Sequence, residues 1–164
     1  MKPIAVFVLA LVLAMPVHAE PQIIGGWKSD AAMTMQFNRA RAKLEEKTAL
    51  FLSQILGHLT ITFSQENVAF DMPDIQTQTV EGRKSNLKGF HEIHPYRLLG
   101  ATENTVAIKS IEPVTGNETI TVYNFEGPDV MWLYVGGADS ASSSSHLREY
   151  FVRVKASKSL RPAR

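Results

Sequence analysis

The spacing of apolar positions changes once along this chain. Across residues 31–56 it is helical. Met33, Phe37 and Ala40 form one stripe, and Leu44, Thr48, Phe51, Leu52 and Ile55 form another. The stretch contains neither Gly nor Pro. Ser29 and Asp30 before it offer N-cap oxygens, and Gly57 after it suits a C-cap. The pattern predicts one or two helices ending at Gly57. From residue 59 the period is two. Leu59, Ile61 and Phe63 alternate with Thr60, Thr62 and Ser64, and Val68, Phe70 and Met72 alternate again after a Gln65-Glu66-Asn67 turn. Residues 59–72 therefore read as a hairpin. Further strands are expected at 75–80, 105–111, 118–125, 130–135 and 147–155, and residues 84–101 carry one long or two short strands interrupted by Pro95. A short β-prone segment, 23–28, precedes the helices. The order is strand, helices, then about seven strands with turn signals every eight to twelve residues, which predicts a closed or nearly closed antiparallel barrel, or a sandwich.

The first nineteen residues follow a different logic. Lys2 gives a positive start, residues 4–15 are unbroken apolar, Pro16 breaks the run, and Val17-His18-Ala19 ends on a small residue. That order is the pattern of a cleaved secretory signal peptide. Twelve apolar residues rise about 18 Å as a helix, against a bilayer core of roughly 30 Å, so a transmembrane anchor is not expected. The expected organisation is signal peptide 1–19, one barrel domain 20–155, and a flexible basic tail 156–164. The expected location is periplasmic or secreted.

Composition adds two constraints. The chain has 164 residues and no cysteine. A lipid-modified bacterial N-terminus is thereby excluded, and an exported fold must hold without disulfides. Removing nineteen residues leaves 145, about one domain and enough to bury a core. Of 17 basic residues only Lys2 lies in the leader, and none of the 16 acidic ones does, so the mature chain is formally neutral. No global field steers it toward nucleic acid.

Gly25-Gly26-Trp27 on the first strand then acquires meaning from its position. A Gly-x-Trp there, in an exported antiparallel protein, resembles the lipocalin-like (calycin) barrels. The resemblance spans roughly residues 23–155. It implies a mostly β fold: a single antiparallel eight-stranded barrel with a helical insertion between the first and second strands. It also implies that Trp27 closes one end of the barrel under an Arg from the last strand, which here is Arg153, as a structural cation–π clasp. The insertion looks like that of the fatty-acid-binding branch, whose helices cap the mouth. That branch holds a carboxylate with Arg-x-Tyr on a late strand. This chain has Arg153-Val154-Lys155 instead, with Tyr150 three residues before the Arg.

Catalytic and metal chemistry find little support. His91 and His94 are the densest ligand cluster, but i and i+3 on a regular strand face opposite ways unless Pro95 bends it. Residues 142–145 are a serine run beside His146, which reads as a linker rather than a rigid nucleophile. Glu45 and Glu46 lie among lysines on a solvated helix face. No catalytic residue, metal or cofactor is assigned. The aromatic residues carry more information. Phe63, Phe70, Tyr96, Tyr123, Phe125, Trp132 and Tyr134 fall on expected strands as candidate cavity-lining residues. Inward residues of a small barrel either fill it or line a cavity. The Thr60, Thr62, Thr119 and Thr121 alternation suggests a polar outer face. The expected function is a non-enzymatic exported barrel that binds a small hydrophobic ligand. The alternative is an envelope protein-interaction or inhibitor module with a filled barrel, docking through the loop at 136–146 or the helical face at 39–47.

Overall fold

A computed structural model describes residues 22–42, 44–135 and 146–154. The signal-peptide segment, the Gly/Ser loop at 136–145 and the basic tail lie outside the described residues. Among those described, no helix is long and apolar enough to cross a membrane.

The fold is mostly β: a nearly closed antiparallel barrel with two helices. Its strands are β1 (Gly25–Ser29), β2 (Thr60–Phe63), β3 (Asn67–Met72), β4 (Ile75–Gln78), β5 (Lys84–Leu87), β6 (Phe90–Pro95), β7 (Arg97–Ala101), β8 (Thr105–Ile111), β9 (Glu118–Phe125), β10 (Val130–Tyr134) and β11 (Arg148–Arg153). Nine of them form one sheet in the order β6-β3-β2-β1-β11-β10-β9-β8-β7, and β4 and β5 make a separate hairpin. Nine strands rather than eight is a correction with a local cause. β6 and β7 are separated by Tyr96 alone. Pro95 has no N–H to donate and a fixed φ, so the run 90–101 bends there. Its first half pairs with β3 and its second with β8, at opposite ends of the strand order. One bent run thus brings the two edges of the sheet together.

The helices sit where the spacing places them, between β1 and β2: α1 (Ala31–Arg41) and α2 (Glu46–Ile55). Asp30 caps α1, its Oδ1 accepting from Met33 N–H at 2.9 Å. Gly57 ends the helical segment with a φ of +92°, and a Cβ there would lie 2.8 Å from that of Ala31. The buried stripe of α1 is not the apolar one expected. It is Thr34 and Asn38 with Met35, while Ala40 is exposed. The reason lies on β11. β1 pairs with β11 only from Trp27↔Arg153 to Ser29↔Phe151. Beyond that point α1 takes over the open edge. Asp30 N–H donates to Tyr150 C=O, Thr34 Oγ1 accepts from Tyr150 N–H, and the Asn38 amide both donates to and accepts from the Arg148 backbone. Positions 30, 34 and 38 recur at one helical turn, so one face meets a straight strand. Buried backbone groups that would otherwise be orphaned are satisfied.

Cross-strand partners share a face, so the register fixes which residues point inward. The main core holds Ile23, Trp27, Ile61, Phe63, Val68, Phe70, Val106, Ile108, Tyr123, Phe125, Met131 and Phe151. A second cluster of Met35, Leu52, Leu56 and Leu147 joins both helices to the barrel end that continues β10 and β11. The barrel is therefore packed with aromatic and branched residues toward one end and lidded by helices at the other.

Candidate functional site

The closed end is organised around Trp27. Its indole is fully buried, and Nε1–H donates to Ile23 C=O at 2.7 Å. The Phe125 ring meets it edge-on at 5.7 Å. The Arg153 guanidinium carbon lies 4.2 Å from the ring centre. All three guanidinium nitrogens are used: Nε donates to Pro128 C=O, Nη1 to Ile24 C=O and Nη2 to Gln22 C=O, at 2.7–2.9 Å. Asp129 adds a 3.5 Å ion pair. Gly25 is required beside this arrangement. Its φ is +119°, and a Cβ there would sit 3.0 Å from Arg153 Nη1.

The seven aromatic candidates divide into three groups. Phe63, Phe70, Tyr123 and Phe125 are buried in the main core, with Phe63 and Tyr123 in edge contact at 5.3 Å. They form a packed floor. Burial pushes the Tyr123 phenol above its ordinary pKa. Tyr96 is half-buried at the bend, packs edge-on against Phe63, and donates its hydroxyl to Ser64 C=O at 2.8 Å. Trp132 and Tyr134 lie on the outer face of β10. Met131, between Val130 and Trp132, is the residue buried inside, and the strand period sends its neighbours outward.

Polar residues also occupy the interior face. Glu92 is opposite Phe70 and His94 opposite Val68. His94 Nε2 and Glu92 Oε2 are 2.7 Å apart. His91 points outward to Asp71 at 3.1 Å, so the two histidines do not converge. Among the described residues, no three His, Asp or Glu side chains gather as a metal site. Thr119 and Thr121 are opposite Ser110 and Ile108, with Tyr123 following on the same face. They face inward, whereas Thr62, opposite outward Ala69, is exposed. The expected all-outward threonine face is thus corrected. β8 and β9 form one hairpin whose apolar and polar neighbours alternate on both faces, and the alternation alone does not choose between them.

Glu149 is the chemically distinctive member of this set. It is opposite Leu133 and alternates with inward Phe151. It accepts a hydrogen bond from the Ser29 hydroxyl at 2.6 Å, and Gly57 N–H donates to Ser29 Oγ at 2.8 Å. No described cation lies within ion-pair distance of it. Burial pushes its pKa up to about 7, and the Ser29 hydroxyl opposes that rise. The carboxyl thus sits between the aromatic floor and the helical lid, able to hold or release a proton near neutrality.

The barrel is not sealed along its sides. β9 and β10 pair only at Met131↔Phe125 and Trp132↔Asn124, so they diverge toward the helical end. Leu98 faces inward opposite Ile108 yet is 44% exposed. At the bend, a cleft of about 520 Å³ lies between the 95–97 segment and β8–β9, lined by Pro95, Tyr96, Arg97, Lys109, Ser110, Ile111 and Glu118. A 2.6 Å Lys109–Glu118 ion pair flanks it. The cleft is an open groove rather than an enclosed chamber. It is at the seam of the sheet, not beneath the helices.

Comparison with protein-family models, with curated proteins and with solved structures gives no match.

Proposed function

We propose that this chain is an exported, non-enzymatic, lipocalin-like barrel that binds a small amphiphilic molecule in its interior. The ligand's apolar body would rest on the Phe63, Phe70 and Tyr123 floor. Its hydroxyl or amine would meet Glu149 beneath the helices. The observation that carries this reading is Glu149 itself, an interior carboxyl with one hydroxyl donor and no described counter-ion. An apolar side chain would serve a merely filled barrel better, because an uncompensated interior carboxyl is destabilising. The half-buried Thr119, Thr121 and Glu92 on the same inner surface support it further.

The test is native mass spectrometry of the full chain expressed in its source cells and purified without detergent. A co-purifying small molecule, displaced in a Glu149→Leu variant that remains folded, supports the reading. A bare protein that also fails to bind a panel of lipophilic amines and alcohols counts decisively against it. The protein-interaction alternative draws on one observation. Ile120 and Val122, two positions apart on the outer face of β9, are 60% and 43% exposed.

A further inference from the structure

We infer that Arg148 anchors a second binding site, on the outside of the barrel, for a small planar carboxylate. Arg148 and Glu149 are neighbours on β11 and therefore face opposite ways. The Arg148 guanidinium carbon is 3.6 Å from the centre of the Trp132 ring, 4.3 Å from that of Phe37 on α1, and 5.5 Å from that of Tyr134. Trp132 and Tyr134 contact each other edge-on at 5.2 Å, and Phe37 leans on Tyr150 at 5.8 Å. The cation is held by three aromatic rings from two elements, α1 and β10.

What distinguishes it is its unfilled hydrogen-bonding capacity. Arg148 Nε is buried and has no partner among the described residues. Nη1 reaches the Tyr150 hydroxyl at 3.5 Å, a long contact. No carboxylate among the described residues lies within ion-pair distance of the guanidinium. Arg153 on the same strand also covers a ring, yet each of its nitrogens has an acceptor. A structural arginine in this protein is saturated, and Arg148 is not. A buried donor left unpaired among the described residues calls for an acceptor.

The rings select the shape of that acceptor. They cover the faces of the guanidinium, so an anion must approach in its plane. A carboxylate is planar and matches the guanidinium fork edge to edge. A tetrahedral oxyanion would place oxygens out of that plane, against the rings. Tyr134, 48% exposed, and exposed His146, with ring centres 6.5 Å apart and planes inclined at 59°, border the site and offer ring faces for the ligand's body. An aromatic carboxylate fits both requirements.

Benzoate is a suitable probe, titrated into the full chain by calorimetry while the Trp132 indole N–H and Arg148 Nε–H resonances are followed. Saturable binding that moves both signals is expected, with sulfate at equal ionic strength about tenfold weaker or more. Arg148→Gln should weaken benzoate by about tenfold or more. Should that variant not fold, Tyr134→Ala serves instead, since its side chain is at the exposed border; weaker binding with an unchanged melting temperature is expected. The inference is overturned if benzoate does not saturate, if sulfate competes equally, or if binding survives in the folded variant tested. Because this site lies on the opposite face of β11 from Glu149, its failure leaves the interior reading standing.

Discussion

Trp27 and Arg153 are direct register partners on β1 and β11, and the arginine lies 4.2 Å above the indole while bonding to three backbone carbonyls. The carbonyls belong to Gln22, Ile24 and Pro128, so one side chain ties the chain's first described residue to the β9–β10 turn. Arg153→Ala should lower stability by about 2–3 kcal/mol, the loss of charge-assisted hydrogen bonds and of ring contact together. Arg153→Lys should recover less than half, because an ammonium cannot reach three carbonyls in fixed directions. Urea denaturation of the three proteins measures both. Unchanged midpoints would remove the clasp from the account of stability.

Glu149 makes stability fall with rising pH in a defined window. Its folded pKa is raised from 4.5 to about 7, so the folded state holds the proton more tightly than the unfolded state does. The contribution is most favourable below about pH 4.5, declines as pH rises toward 7, and is flat above that. The full change is about 3 kcal/mol at most. Glu149→Gln keeps an acceptor for Ser29 and removes the titration. Its stability relative to the parent should therefore grow between pH 4.5 and 7.5. Parallel stability curves for the two proteins would contradict the burial of this carboxyl.

Asn38 acts as a strand edge supplied by a helix. Asn38→Ala leaves the Arg148 N–H and C=O without their partner and should cost about 2–3 kcal/mol. The more specific readout is amide exchange. The N–H of Arg148 should lose protection, while that of Tyr150, bonded to Thr34, keeps most of its own. Thr34→Val should reverse the order.

Space inside the barrel can be tested by filling it. Thr121 is half-buried on the inner face opposite Ile108. If the interior holds a ligand chamber, Thr121→Trp should melt within a few degrees of the parent and lose binding of small lipophiles. In a filled barrel the same change overpacks the core and should destabilise it by about 1–3 kcal/mol. Thermal melting and a fluorescent-lipophile titration separate the two outcomes.

Much of this architecture is legible locally. The switch of period near Gly57 marks where helix gives way to strand. Asp30 announces its helix, and Gly25 beside Trp27 marks the site where a side chain would collide with Arg153. These are short-range demands of backbone conformation, and the residue types that meet them are few. Which face of each strand would turn inward is a different matter. Val130 to Tyr134 is apolar or aromatic at every position, so its alternation names two faces and chooses neither. Only the pairing of Met131 with Phe151 and Phe125 turns Trp132 and Tyr134 outward.

The sequence by itself determined the mostly β composition, the helical insertion after the first strand, and the placing of Gly25 and Trp27 on that strand. Tertiary structure alone decided the chemistry. Neither Arg148 nor Glu149 stands out in the sequence. Their roles depend on Ser29, 120 positions away, and on Phe37 and Trp132, which reach Arg148 from a helix and a neighbouring strand. Local pattern encodes which side chains alternate. Burial and partners arise when strands distant in sequence close into a barrel, and that closure put a carboxyl inside and an aromatic-bound arginine outside.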